Sequence, residues 1–138
     1  MNVFFYGLFM DEGFLESKGI TPRNPMIGRL DDYELRIGER ASLVRCRGQR
    51  VVGIVMDVDV DDVKRLYADN SVADYLPETV SIELECGSLV EATCFNLPED
   101  AIQGTNKDYA RALCELADSL GLDETYVGEI NRLADNGE

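Results

Sequence analysis

The chain has 138 residues, 45% of them hydrophobic, and a formal net charge of −14 at pH 7. This length predicts one domain spanning residues 1–138, and the negative charge argues against a nucleic-acid partner and against an anionic membrane surface. Histidine is absent, which excludes catalytic triads and metal sites that depend on imidazole.

Cysteine spacing and hydropathy narrow the class of protein further. Cys46, Cys86, Cys94 and Cys114 contain no C-x-x-C pair, which argues against a zinc site. No apolar run approaches the roughly 20 residues of a membrane helix, and the N-terminus lacks the basic region of a signal peptide. The sequence therefore predicts a cytoplasmic protein without a membrane segment.

The first predicted strand covers about residues 2–6, within "VFFYGLFMDEGF" (residues 3–14). Tyr6-Gly7 interrupts the apolar run, and two explanations stay open. Either this is a buried strand with a kink, or Gly7 opens a loop whose backbone binds something. "MDEGFLESKGI" predicts a short helix that is broken by Gly19 and the prolines beyond it.

The middle of the chain predicts strands and one helix. "MIGRLDDYELRI" is interpreted as strand, turn and strand, and "ASLVRC" as a strand that "GQR" turns into "VVGIVMDV". The last segment is almost entirely apolar and predicts a central strand buried on both faces. "DVDDVKRLYA" predicts a short helix. Arg40, Arg45 and Arg47 form the densest basic patch, for which pairing with acids is favoured over binding of an anion.

The last third of the chain predicts a β-hairpin and two helices. Val80, Ile82 and Leu84 alternate with polar residues, and Gly87-Ser88 is typical of a two-residue type II′ turn. Two amphipathic patterns separated by "GLD" predict a helical hairpin, with Asp123 capping the second helix. The order of elements indicates an α+β fold with a small mixed or barrel-like sheet flanked by helices.

Several of these segments together resemble the gamma-glutamylcyclotransferase-like family. "VFFYGLFM" is similar to its opening strand and loop, "IGRLDDYEL" to a following strand, and "YLPETVSIE" to the stretch after its catalytic glutamate. "YARALCELADSLGLDETYVGEINRL" resembles its C-terminal helical hairpin. The resemblance covers nearly the whole chain in the same order. It implies a small mixed β-barrel-like sheet flanked by helices.

The resemblance also implies an activity. Characterised members cyclise a gamma-glutamyl amine to 5-oxoproline and the free amine, without a metal or organic cofactor. The substrate's α-amine attacks its own γ-carbonyl, so a carboxylate must accept a proton, and backbone N–H groups stabilise the negative charge. Gly7 would permit unusual backbone dihedral angles and a close approach. The implied substrate-binding residues are Tyr6, Gly7, Leu8, Phe9, Met10 and Tyr75.

Two positions depart from the family pattern. Leu8 stands where the family has a hydroxyl residue. No glutamate occupies the expected position in "LYADNSVADY": counting from Leu66 gives Asn70, and counting back from Tyr75 gives Ser71.

The missing glutamate leaves two hypotheses open. Asp69 acts as a substitute base in an enzyme with altered or reduced activity, or the chain is a non-catalytic domain that binds a small acidic amide or a protein. The oligomeric state stays open as well.

Overall fold

The structure is a computed structural model, and it describes residues 1–135. It contains five strands: β1 (Asn2–Phe5), β2 (Arg23–Ile37), β3 (Ala41–Asp57), β4 (Leu76–Leu84) and β5 (Leu89–Asn96). It contains four α-helices: α1 (Glu12–Ser17), α2 (Val60–Leu66), α3 (Lys107–Ser119) and α4 (Glu124–Asp135). Two 3-10 turns lie at Leu8–Met10 and Glu99–Ala101. Within residues 1–135, no helix has the length and apolar character needed to cross a membrane.

The five strands close into a barrel in the order β1-β3-β2-β4-β5. All neighbours are antiparallel except β1 and β5, which pair in parallel where Val3 lies opposite Thr93. β3 lies between β1 and β2, and Val51, Ile54 and Met56 are all buried. This confirms both the mixed barrel-like α+β fold and the central position of "VVGIVMDV".

Two predicted turns are wrong, because β2 and β3 are each one long strand. Asp31 pairs with Arg50 and Tyr33 with Arg45, so the register shifts between them at a β-bulge. Asp32 takes a positive φ of 65° at this point, and its Oδ1 accepts a hydrogen bond of 3.1 Å from the Gly48 amide. A bulge bends a strand without ending it, so the pair curves around the barrel where two turns were expected.

The β4–β5 hairpin forms as predicted, but its turn lies elsewhere. The Gly87 amide donates to the Leu84 carbonyl at 2.8 Å, so the turn is centred on Glu85 and Cys86. Gly87 follows with φ of +90°, the left-handed conformation that glycine adopts without steric strain. The four-residue loop therefore replaces the predicted two-residue type II′ turn.

The predicted helical hairpin is present as α3 and α4, and caps fix where each helix begins. Asn106 Oδ1 accepts from the Tyr109 amide at 3.0 Å, and Asp123 Oδ2 accepts from the Tyr126 amide at 3.1 Å. Arg50 on β3 pairs with both Asp123 and Glu129, at 3.2 and 3.0 Å. The hairpin is thereby attached to the barrel.

Gly53 on β3 tests how closely the barrel strands pack. A Cβ atom there would overlap the Phe5 carbonyl oxygen and lie 2.9 Å from Phe4 Cζ. Because a backbone oxygen cannot move aside, we expect Gly53→Ala to lower the free energy of unfolding by about 2–3 kcal/mol.

Gly128 on α4 provides the control for this variant. A Cβ atom added at Gly128 would have no heavy atom within 4 Å, so Gly128→Ala is expected to raise the free energy of unfolding by about 0.5–1 kcal/mol. Urea denaturation measures both variants. Equal stability of the two variants would contradict this description of the packing.

Candidate functional site

A cavity of about 250 Å³ opens where β1 ends. The 3-10 turn at 8–10, helix α1, the segment 67–75 and the start of α3 surround it. Its walls hold all five phenylalanines of the chain and four of its six tyrosines. These aromatic residues are Phe4, Phe5, Tyr6, Phe9, Phe14, Tyr67, Tyr75, Phe95 and Tyr109. A concave, mostly apolar pocket with a few polar groups is the typical form of a small-molecule site.

The Tyr109 side chain lies so close to Gly7 that only glycine fits at this position. A Cβ atom at this position would lie 2.5 Å from the Tyr109 hydroxyl oxygen, and the same oxygen accepts a hydrogen bond of 3.3 Å from the Leu8 amide. The φ of Gly7 is −112°, so the unusual dihedral angle expected here is absent, and the group that approaches Gly7 closely is the Tyr109 side chain. Of the N–H groups in the predicted cradle, those of Leu8 and Met10 already have partners, the Tyr109 hydroxyl and the Gly7 carbonyl.

The structure brings most of the predicted binding residues together. Tyr6, Gly7, Leu8, Phe9 and Tyr75 all line the cavity. The Tyr6 hydroxyl donates to the Phe95 carbonyl at 2.8 Å, and the Tyr75 hydroxyl donates to the Ala41 carbonyl at 2.5 Å. These bonds fix the two rings in the wall.

Met10 is placed differently from the prediction. Its exposed fraction is 0%, and its side chain packs in the hydrophobic core. The 3-10 turn rotates this residue away from the cavity that Leu8 and Phe9 line. Met10 therefore anchors the loop in the hydrophobic core and does not form part of the cavity wall.

The segment 69–72 contributes two residues to the cavity wall. Ser71 and Val72 line it, whereas Asn70 and Asp69 are exposed and lie outside the lining. The Asp69 carboxylate accepts hydrogen bonds from the Ser71 amide at 2.9 Å and from the Ser71 hydroxyl at 2.7 Å. These two bonds hold the pKa of Asp69 below its usual value. Counting back from Tyr75 gives Ser71, which lies in the cavity wall, whereas counting from Leu66 gives Asn70, which does not.

Two basic side chains line the cavity, and the cavity-lining residues within 1–135 include no aspartate or glutamate. Lys18 Nζ lies 5.1 Å from the centroid of the Phe14 ring. Arg40 binds both oxygens of Asp74, at 2.6 and 2.7 Å, and its guanidinium lies 5.6 Å from the Tyr75 ring centroid. Arg40 therefore pairs with an acid, as favoured for the basic patch, and also faces the cavity.

A third hydrogen bond from Arg40 connects two segments of the cavity wall. Its Nη1 donates to the Ser71 carbonyl at 3.1 Å. The residues following β2 are thus bound to the segment 71–74, which carries Ser71. In residues 1–135, no three Cys, Asp or Glu side chains cluster closely enough to hold a metal ion.

The lining residues that sequence reasoning missed include Lys18, Arg40, Tyr67, Phe95 and Tyr109. They come from the end of α1, from the residues before β3, from the end of α2, from β5 and from α3. Closure of the barrel brings these distant segments together. The order of the motifs along the chain does not show which segments this closure brings together.

Comparison with known proteins identifies the fold. No family profile matches the chain, and no curated protein matches it in sequence. A solved structure named gamma-glutamyl cyclotransferase is similar with a TM-score of 0.78 and 16% identity, over 95% of this chain and 86% of that one. A yeast gamma-glutamyl cyclotransferase specific to glutathione is similar with a TM-score of 0.70 and 9% identity, over 100% and 96% of the two chains.

A mouse AIG2-like protein extends the comparison, with a TM-score of 0.57 and 15% identity over 69% of this chain and 75% of that one. The barrel with its helical hairpin therefore defines a gamma-glutamylcyclotransferase-like fold. The resemblance seen in the sequence motifs is confirmed at the level of the fold.

Proposed function

We propose that the aromatic cavity binds a gamma-glutamyl amine or another small acidic amide. This proposal rests on the charge of the cavity lining. In a chain with 27 acidic and 13 basic side chains, the lining contains Lys18 and Arg40 and, within residues 1–135, no acid. The net negative charge of the chain disfavours a carboxylate ligand elsewhere, whereas these two cations attract it, Arg40 less strongly because Asp74 already pairs with it.

We further propose that the bound amide is cyclised slowly. The substrate's α-nitrogen forms a bond to its γ-carbonyl carbon, the bond to the amine breaks, and the proton lost by the nucleophile passes to the leaving amine. Ser71 lines the cavity and its hydroxyl donates to Asp69, so this hydroxyl would relay the proton from the reacting nitrogen to the Asp69 carboxylate. A base that acts through a second group is weaker than one in direct contact, which makes the reaction slow.

Non-catalytic binding is the second candidate function. The absence of a lining carboxylate among the described residues favours it, because the attacking amine arrives protonated and needs a base. Binding of the acidic amide is common to both candidates. Release of 5-oxoproline separates them.

The test incubates the protein with a panel of gamma-glutamyl amines and measures 5-oxoproline. We expect slow release by the native chain and a loss of roughly 10²-fold or more in Asp69→Asn. Asp118→Asn, an exposed aspartate on α3, is the matched control and should retain the native rate. Binding without release would support the non-catalytic candidate, and neither binding nor release would contradict both.

A further inference from the structure

Six of the nine rings in the cavity wall form one connected cluster, namely Phe5, Phe9, Phe14, Tyr67, Tyr75 and Phe95. Tyr67 stacks on Phe95 with ring centroids 3.9 Å apart and an interplanar angle of 15°. Phe9 meets the Tyr67 ring edge-on at 6.0 Å and 88°, and it also contacts Phe14 at 5.6 Å. Phe14 remains 39% exposed. The cluster therefore has an accessible aromatic surface that no other part of the described chain covers.

A gamma-glutamyl group does not explain this cluster. Its carboxylate, ammonium and amide groups are polar, and they need hydrogen bonds and charges. Nine of the eleven aromatic residues in the chain nevertheless line this cavity. Aromatic rings pack favourably against other aromatic rings in stacked or edge-on arrangements, so the amine half of the ligand is the part that these rings fit.

The size of the cavity agrees with a ring as occupant. An apolar protein cavity of about 150 Å³ is sufficient to bind benzene. The cavity here measures about 250 Å³ and opens to solvent beside Phe14 and Lys18. A benzene-sized ring leaves space for a short acidic chain that reaches the basic side chains.

We propose that the preferred ligand is a gamma-glutamyl amide of an aromatic amine. Its ring packs against Tyr67 and Phe95, and its α-carboxylate lies near Lys18 and Arg40. This inference rests on the proposed function, since it takes the acidic half of the ligand from there and adds the chemical class of the amine.

Three probes separate the two halves of the ligand in calorimetric titrations. Gamma-glutamyl anilide carries both the acid and the ring, gamma-glutamyl methylamide carries only the acid, and acetanilide carries only the ring. We expect the anilide to bind about 10- to 100-fold more tightly than the methylamide. Acetanilide is expected to bind more weakly than the anilide because it lacks the carboxylate.

Tyr67→Leu and Phe95→Leu test the ring contacts directly. Each should weaken anilide binding by about tenfold and weaken methylamide binding less, so that the ratio of the two affinities falls. Circular dichroism shows whether each variant is folded. Lys18→Gln should weaken the two acidic probes equally.

The outcomes of these titrations are distinguishable. Equal affinity for anilide and methylamide, or unchanged anilide binding in both leucine variants, would overturn the inference while the proposed function stands. No binding of either acidic probe, or acetanilide binding as tightly as the anilide, would overturn the proposed function itself.

Discussion

Replacing Ser71 with glutamate is expected to raise the rate of 5-oxoproline release by roughly 10²–10⁴, the usual contribution of a positioned general base. Ser71 is the residue of the segment 69–71 that lines the cavity. A glutamate there places a carboxylate in direct reach of the ligand, so the proton no longer has to pass through a hydroxyl to Asp69. The rate is measured by single-turnover assays with gamma-glutamyl anilide.

Asn70→Glu is the matched control for this gain. Asn70 is the adjacent residue, is exposed, and lies outside the cavity lining. It carries the same change in charge and should leave the rate close to that of the native chain. An equal gain in both variants, or a gain only in Asn70→Glu, would show that Ser71 does not occupy the position of the base.

Alkaline solution above pH 10 is expected to unfold the protein cooperatively. Burial raises the pKa of all six tyrosines above the ordinary value of 10, that of Tyr33 to about 12. The folded state thus holds these hydroxyls protonated in a pH range where the unfolded chain ionises them. Their contribution is fully present below pH 10 and is lost as the pH rises through the folded-state pKa values.

The size of this effect is large compared with ordinary protein stability. At pH 11, a buried tyrosine whose folded-state pKa lies well above 11 lowers the free energy of unfolding by about 1.4 kcal/mol. Several such contributions together approach the roughly 5–15 kcal/mol of a typical domain. We expect tyrosinate absorbance and loss of the far-ultraviolet circular dichroism signal to appear together above pH 10.

Tyr67→Phe isolates one of these contributions. The change removes a single hydroxyl from the cavity wall and keeps the ring that stacks on Phe95. The variant should match the native chain at pH 7 and be more stable than it at pH 11. Tyrosinate absorbance that is half complete near pH 10 with the circular dichroism signal intact would contradict the burial of these hydroxyls.

Local patterns were sufficient to predict much of the fold. Alternation in β4 and β5, the apolar run Val51–Met56 and the Asp123 cap of α4 are properties of short segments. The bulge at Asp32 was missed because "DD" between apolar residues is also typical of a turn. What keeps β2 continuous is a bond from Gly48, on the neighbouring strand.

The candidate site could be predicted only where it lies within one motif. Tyr6, Gly7, Leu8 and Phe9 follow one another in the chain, and their common location followed from the loop. Tyr109 was missed because it reaches Gly7 from the other end of the chain. The sequence did not distinguish Asn70 from Ser71, and only the fold shows that Ser71 lines the cavity whereas Asn70 does not.

The central claim is that an acidic amide binds in the aromatic cavity. Titration of isotope-labelled protein with gamma-glutamyl anilide, followed by backbone amide NMR, tests it most directly. The shifts should change for residues 6–9, 71–75 and Tyr109, which come from three separate segments, and Lys18→Gln should weaken the same response. Changes confined to the helical hairpin or the β4–β5 turn, with residues 6–9 unaffected, would contradict the claim.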